Sequence, residues 1–172
     1  MTSKRKHHKS TTARVDYYHD PDAPAPTSRK PSASVAVLDA TGRLLVLRRA
    51  DNGLWTIPTG GLKYGETIAQ CAVRECREET GIDVEITSLV GVFSDPGHLI
   101  AYRKGKKTKE VRQPINVCLR GHPTGGQLTP GPGEATETRW VDQTELRDLP
   151  IHPAIRKRIV HALDETAGPY LE

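Results

Sequence analysis

The stretch from Thr59 to Gly81 constrains this chain more than any other part of it. Gly60, Gly61 and Gly65 punctuate a short loop, and a helical pattern then runs from Thr67 to the glycine at position 81. Thr67 with Gln70 three residues later has the form of a capping box, and Gly81 suits the left-handed position that closes a helix. Leu62, Ile68, Ala69, Ala72, Val73 and Cys76 give this helix an apolar side to lay on a sheet. The opposite side is unusual. At about 100° per residue, Glu75, Glu78 and Glu79 fall on one stripe, spread over roughly 6 Å along the axis.

A solvated acidic face accounts poorly for that stripe. All three carboxylates sit in the last two turns, where the helix dipole disfavours anions by about 0.3–1 kcal/mol each. Glu75 and Glu79 also repel at i, i+4 by about 0.2–0.5 kcal/mol. A divalent cation on the stripe converts repulsion into coordination, and hard oxygen donors favour Mg²⁺, with Mn²⁺ as the alternative, over Zn²⁺. Arg74 lies four residues before Glu78 and can orient that carboxylate, although a plain surface ion pair has the same spacing. The glycines at 60, 61 and 65 either bring backbone close to a metal and to phosphate oxygens or simply make a turn.

Around this segment the pattern is mostly strand. Ser34–Leu38 and Arg43–Arg49 flank the turn residues Asp39-Ala40-Thr41-Gly42 and read as a hairpin. Leu54–Ile57, Val84–Phe93, Leu99–Tyr102, Ile115–Leu119 and Thr138–Val141 read as further strands. His152-Pro153-Ala154-Ile155 opens a C-terminal helix that spaces Ile155, Ile159 and Leu163 for burial. Strands and helices are mixed without repeated βαβ units, so the expected class is α+β.

The net charge of +4 is unevenly placed, because residues 1–30 hold seven Lys/Arg against three Asp and the remainder holds 18 of each sign. A balanced domain gives no reason to expect nucleic acid as its main partner. Residues 1–30, with the run from Asp20 to Pro26, read as a flexible basic, Pro-rich arm, and 31–168 as one domain. His7-His8 lacks further ligands nearby and reads as part of a solvated tail. Cys71, Cys76 and Cys118 contain no C-x-x-C, as expected of a reduced cytosol, and no apolar run marks a signal peptide or membrane span. The chain therefore reads as cytoplasmic.

The stretch Gly60-x5-Glu66-x7-Arg74-Glu75-Cys76-x-Glu78-Glu79-x-Gly81-Ile82 resembles the Nudix box of the MutT-like hydrolases at every specified position. Thr59 stands where a third glycine is frequent, Lys63 where an acidic residue is frequent, and Cys76 in an aliphatic slot. The resemblance implies a Nudix-like α/β/α sandwich with a mixed central sheet. It also implies hydrolysis of a diphosphate linkage in a nucleoside diphosphate derivative: a nucleoside triphosphate, an ADP-ribose-like compound, or a capped or dinucleoside polyphosphate. By the same resemblance Glu75, Glu78 and Glu79 ligate the metal and Glu66 supports them; dimers are frequent among such proteins, which admits a homodimer without fixing the oligomeric state. The alternative is a module of the same fold that binds a nucleotide without cleaving it.

The general base stays open between a box glutamate, Glu78 among them, and an acidic residue on a later loop, Glu134 or Glu137. Arg103-Lys104-Gly105-Lys106-Lys107-Thr108-Lys109 concentrates five cations and reads as a solvated hairpin tip more readily than as a phosphate receptor. Trp55, Tyr64, Phe93, Tyr102 and Trp140 are either stacking partners for a base or core.

Overall fold

The fold follows from apolar strands that need cover on both faces. In the computed structural model, which describes residues 13–172, ten strands and three helices occur in the order β1 (Ala13–Tyr18), β2 (Ser28–Val37), β3 (Leu44–Arg49), β4 (Trp55–Thr56), β5 (Thr59–Gly61), α1 (Ile68–Thr80), β6 (Ile82–Phe93), β7 (His98–Lys104), β8 (Lys107–Gly126), β9 (Ala135–Val141), α2 (Gln143–Asp148), α3 (Pro153–Leu163) and β10 (Tyr170–Leu171). One mixed sheet is ordered β1-β7-β8-β2-β5, with β6 also on β8 and β10 on β6; a smaller sheet is ordered β4-β3-β9. The β2–β8 and β6–β10 pairings are parallel, the others antiparallel.

Two apolar layers result. Ala33, Val35 and Val37 of β2, with Leu45 of β3, pack against Cys71, Ala72 and Cys76 of α1. Ala36 of β2, with Leu44 and Val46 of β3, packs on the other side against Leu146 and Leu149, at the end of α2, and Ile159 and Ala162 of α3. The chain is thus an α/β/α sandwich of the α+β class. Small residues on the buried side of α1 let it lie close to the sheet, so its carboxylate stripe comes near the strand ends.

Helix α1 keeps the expected boundaries. Thr67 accepts from the Gln70 N–H while the Gln70 side chain accepts from the Thr67 N–H, and Gly81 closes the helix at φ 75°. The basic run forms the tip of the β7–β8 hairpin, where Lys104 faces Lys107.

Four expectations are corrected. The segment 13–30 is not a flexible arm: Ala13–Tyr18 pairs antiparallel with β7, and Val15, Tyr17 and Ala23 pack against Leu99, Ala101 and Val111. That packing offsets the entropy which composition alone could not. Residues 1–12, including His7-His8, lie outside the described residues. Next, 34–49 is not a regular hairpin, because β2 and β3 share only the Leu38–Leu44 bridge and belong to different sheets. Both strands are apolar on successive residues, so each takes cover on two faces, and the Asp39–Gly42 turn becomes a crossing between layers. Thirdly, Thr59–Gly61 is a short strand on β2 rather than pure loop. Lastly, ordered structure continues past 168, since Tyr170 and Leu171 pair with Gly91 and Val92. Helix α2, capped by Asp142, had no expectation set against it.

Candidate active site

Helix α1 presents its carboxylates toward β5 and the loop before β9. Gly60 makes this closeness possible, because a Cβ built there would overlap the Glu75 carboxylate. From the same strand the Thr59 N–H donates to Glu79 Oε2 at 2.9 Å. The third contributor arrives from more than fifty residues away. The last turn of α1 leaves backbone carbonyls without helical partners, and the 127–131 loop satisfies them: Gln127 N–H donates to Gly81 O at 3.2 Å, Thr129 N–H to Thr80 O at 2.9 Å and Gly131 N–H to Glu79 O at 3.0 Å. Gly131 lies so close to the helix end that a Cβ there would strike the Glu78 carbonyl. This docking brings Glu134 beside Glu75 and Glu79, with one oxygen of each carboxylate within 4.8 Å of the others.

The remaining predicted residues form a second group around Arg74. Its guanidinium donates to both oxygens of Glu66, to Glu75, to Glu78 Oε2 at 2.9 Å and to the Gly61 carbonyl at 3.1 Å. Glu66 also accepts from the Lys63 N–H at 3.0 Å. Glu78 is about half exposed, with Lys63 Nζ 3.8 Å away. The structure therefore gathers Glu75, Glu79 and Glu134 into one cluster and leaves Glu78 and Glu66 on Arg74, which bridges to the cluster through Glu75. Gly65 adopts φ 83° in a turn with open space around it, so its role is backbone conformation rather than close approach. Glu137 pairs along β9 with Arg139 at 3.6 Å and is not part of the cluster.

Charge in the cluster is compensated only in part, by Arg74 on Glu75 and by Arg49 acting on Glu79. Burial pushes Glu79 up to about 8, against the Thr59 hydrogen bond and Arg49, while Glu75 and Glu134 push it further. Burial also raises Glu75, with Arg74 opposing and Glu78 and Glu134 adding to the rise. Glu66 shows the contrary: Arg74 and the Lys63 N–H hold it down at about 2. Three oxygen donors, two of them buried and short of positive charge, fit a hard divalent cation.

These residues open onto a cavity of about 1010 Å³, large enough for a nucleotide with a second group attached. Glu75, Glu79 and Glu134 line it together with Gly60, Gly61, Arg49 and Lys63, and so do residues from elements that the sequence reading did not assign to a site: Arg14 and Asp16 of β1, His98 of β7, Arg112 of β8, His152 and Arg158. Tyr64, Tyr102 and Trp55 reach its wall, whereas Phe93 is in the core. Trp55 is itself buried beneath Arg139, whose guanidinium lies 4.5 Å from its ring. The alternation of Arg14, Asp16 and Tyr18 along 13–18 was a signal for the missed wall, masked by the proline run that follows.

Comparison with known proteins bears on the family and the fold. The family model described as NUDIX domain matches residues 28–163. A MutT-like protein of Streptomyces ambofaciens is 32% identical over 87% of this chain and 86% of its own length. An RNA pyrophosphohydrolase of Novosphingobium aromaticivorans is 31% identical over 84% and 96%. Among solved structures, a NUDIX hydrolase from Nitrosomonas europaea superposes with a TM-score of 0.66 at 22% identity, covering 87% of this chain and 78% of that one.

Proposed function

This chain belongs to the NUDIX family, and from that premise we propose that it is a Mg²⁺-dependent pyrophosphohydrolase that cleaves the diphosphate linkage of a nucleoside diphosphate derivative. The observation that carries the reading is the convergence of Glu75, Glu79 and Glu134 at one end of a large cavity. Relatives named as a MutT-like protein and an RNA pyrophosphohydrolase support diphosphate chemistry.

Glu75, Glu79 and Glu134 would hold the cation, with Mn²⁺ as the alternative to Mg²⁺. When bound, such a cation neutralises the diphosphate, polarises the attacked phosphorus and makes water a better nucleophile. The protein's own part is positional. Thr59 and the docked 127–131 loop fix the two approaches to the cluster, so little reorganisation is needed when charge develops in the transition state. Arg74 fixes Glu75 and Glu78 by ion pairs, and Glu66 fixes Arg74 in turn. Glu78, held by Arg74 through Oε2 and about half exposed, is our choice of base over Glu134, which would hold the cation.

The substrate is a small nucleotide derivative, and the location we propose is the cytoplasm, in keeping with three buried free cysteines. The test is phosphate release, with a coupling phosphatase, across nucleoside triphosphates, nucleoside diphosphate sugars, dinucleoside polyphosphates and 5′-triphosphorylated RNA, each with Mg²⁺, Mn²⁺ or EDTA. Turnover of one class that EDTA abolishes is the expected result. Tight nucleotide binding without turnover of any class would instead identify a non-catalytic module.

A further inference from the structure

Most of the arginines that line the cavity have a partner of their own: Arg14 pairs with Asp16 at 2.7 Å, Arg49 with Asp51 at 2.6 Å, Arg112 with Glu110 at 3.1 Å, and Arg29 reaches Gln113 at 3.3 Å. Arg158 of α3 does not. It is only 4% exposed, yet among the described residues it has no salt bridge, and its Nε is buried without a hydrogen-bond partner. Its guanidinium carbon lies 5.9 Å from the centre of the Phe93 ring. His98 faces the same space: its Nε2, on a side chain 7% exposed, makes no hydrogen bond and has Asp16 Oδ1 3.9 Å away, an oxygen already taken by Arg14.

We infer that Arg158 and His98 form an oxyanion receptor in the cavity wall, which takes a phosphate or carboxylate carried by the substrate away from the bond that is cleaved. A buried guanidinium without an acceptor is unfavourable, and the planar fork of arginine is matched by an oxyanion with two parallel acceptors. Burial is the main influence on Arg158, with Cys118 and Glu172 opposing it and Arg14 adding to it. Burial lowers Arg158 only to about 10, which leaves it a cation at neutral pH.

The neighbouring Asp16, His98 and His152 place ligand atoms within 4.8 Å of one another and so have the donor types of a transition-metal site. The surroundings disfavour a cation there. Both Asp16 oxygens are taken by Arg14, at 2.9 and 2.7 Å, His152 Nδ1 accepts from the Ala154 N–H at 3.2 Å, and Arg14 and Arg158 both act on His152 as positive charges. A net positive wall with unused donors fits an anion.

The inference rests on the hydrolase reading for its substrate, but its test does not need turnover. The full chain and Arg158→Met are unfolded thermally in EDTA in chloride, phosphate and acetate at matched ionic strength. General salting effects act on both proteins alike, so the readout is the difference between them. We expect phosphate or acetate to raise the wild-type midpoint by several degrees more than that of Arg158→Met; phosphate alone assigns the site to phosphate, and acetate, alone or with it, to carboxylate. Arg158→Lys, which keeps the charge and loses the fork, should lose more than half of the effect and covers the case in which Arg158→Met does not fold. Equal shifts in wild type and both variants overturn the inference, as does stabilisation by Zn²⁺ or Mn²⁺, without EDTA, that disappears in His98→Ala. In a second arm, turnover with Mg²⁺ is compared for NAD against NADP and dephospho-coenzyme A against coenzyme A. For a phosphate site, the kcat/KM ratio in favour of the additional phosphate should fall at least tenfold in Arg158→Met. Failure to turn over any diphosphate would sink the hydrolase reading and leave the phosphate and acetate shifts to decide this one.

Discussion

Substituting Gly60 by alanine tests the site with almost no change to the fold. The position does not require positive φ, so alanine is compatible with the backbone and restricts the unfolded chain, which favours folding by about 0.4–1 kcal/mol. Against this, the new Cβ occupies the space of the Glu75 carboxylate, the far end of a flexible side chain, which can swing away. Displacement loosens its ion pair with Arg74, at a cost on the order of 1 kcal/mol. The two effects nearly cancel, so the midpoint of thermal unfolding should move by no more than about 4 °C. Activity should not be spared. Moving one of three oxygen donors out of the cluster removes a preorganised charge worth about 10²–10³ in rate. The neighbouring Gly61 is the control, because a Cβ there meets nothing within 4 Å. The assay is initial rate at saturating substrate over a Mg²⁺ titration for Gly60→Ala, Gly61→Ala and wild type. A Gly60→Ala enzyme as fast as wild type at all Mg²⁺ concentrations, or a Gly61→Ala enzyme equally impaired, refutes the placement of Glu75 at the metal.

Glu79→Gln keeps the acceptor for the Thr59 N–H and should lose about 10²–10³ in rate. In EDTA it should also remove a pH dependence: wild-type Glu79 titrates near 8 when folded and near 4.5 when unfolded. The folded state therefore holds the extra proton, and stability falls as pH rises through that window; a flat wild-type profile by chemical denaturation counts against it. Glu134→Gln should lower Mg²⁺ affinity by about 10- to 100-fold, whereas Glu137→Gln should bind Mg²⁺ as wild type does in a titration of activity; equal effects would remove Glu134 from the site. Burial, and then His98, lower His152 to about 4. The unfolded chain thus takes up the proton first, and stability is lost as pH falls from 6.5 to 4. His152→Asn, which keeps an acceptor for Ala154, should flatten that limb of the denaturation profile, and an unchanged limb excludes His152 as its source.

What could be read from the chain was local chemistry. The Thr67 cap, the Gly81 stop and the small residues of α1 act within a few residues of one another, so the spacing of letters reports them directly. The same spacing does not say where a carboxylate goes. Glu78 lies about 100° from Glu79 around the helix, and this turns it to Arg74 and Lys63 while Glu75 and Glu79 meet Glu134. Nothing in the order of residues separates Glu134 from Glu137; the docking of 127–131 on the helix end does. Strand β1 was hidden for a related reason. Its partners are residues 98–103, some eighty positions later, and its own window is dominated by polar residues and prolines. Arg14 and Asp16 of the cavity wall were hidden with it.

The loop that completes the helix end also sets when the site can exist. A ribosome releases α1 long before residues 127–134, and until they emerge the carbonyls of Glu79, Thr80 and Gly81 are open to water and Glu75 and Glu79 face each other without the third carboxylate. During that interval the chain can fold much of its sheet, yet it has no complete metal cluster with which to capture a cation or a nucleotide. Competence thus arrives only with the loop that leads into β9, the strand that closes the smaller sheet, well after the helix that carries Glu75 and Glu79.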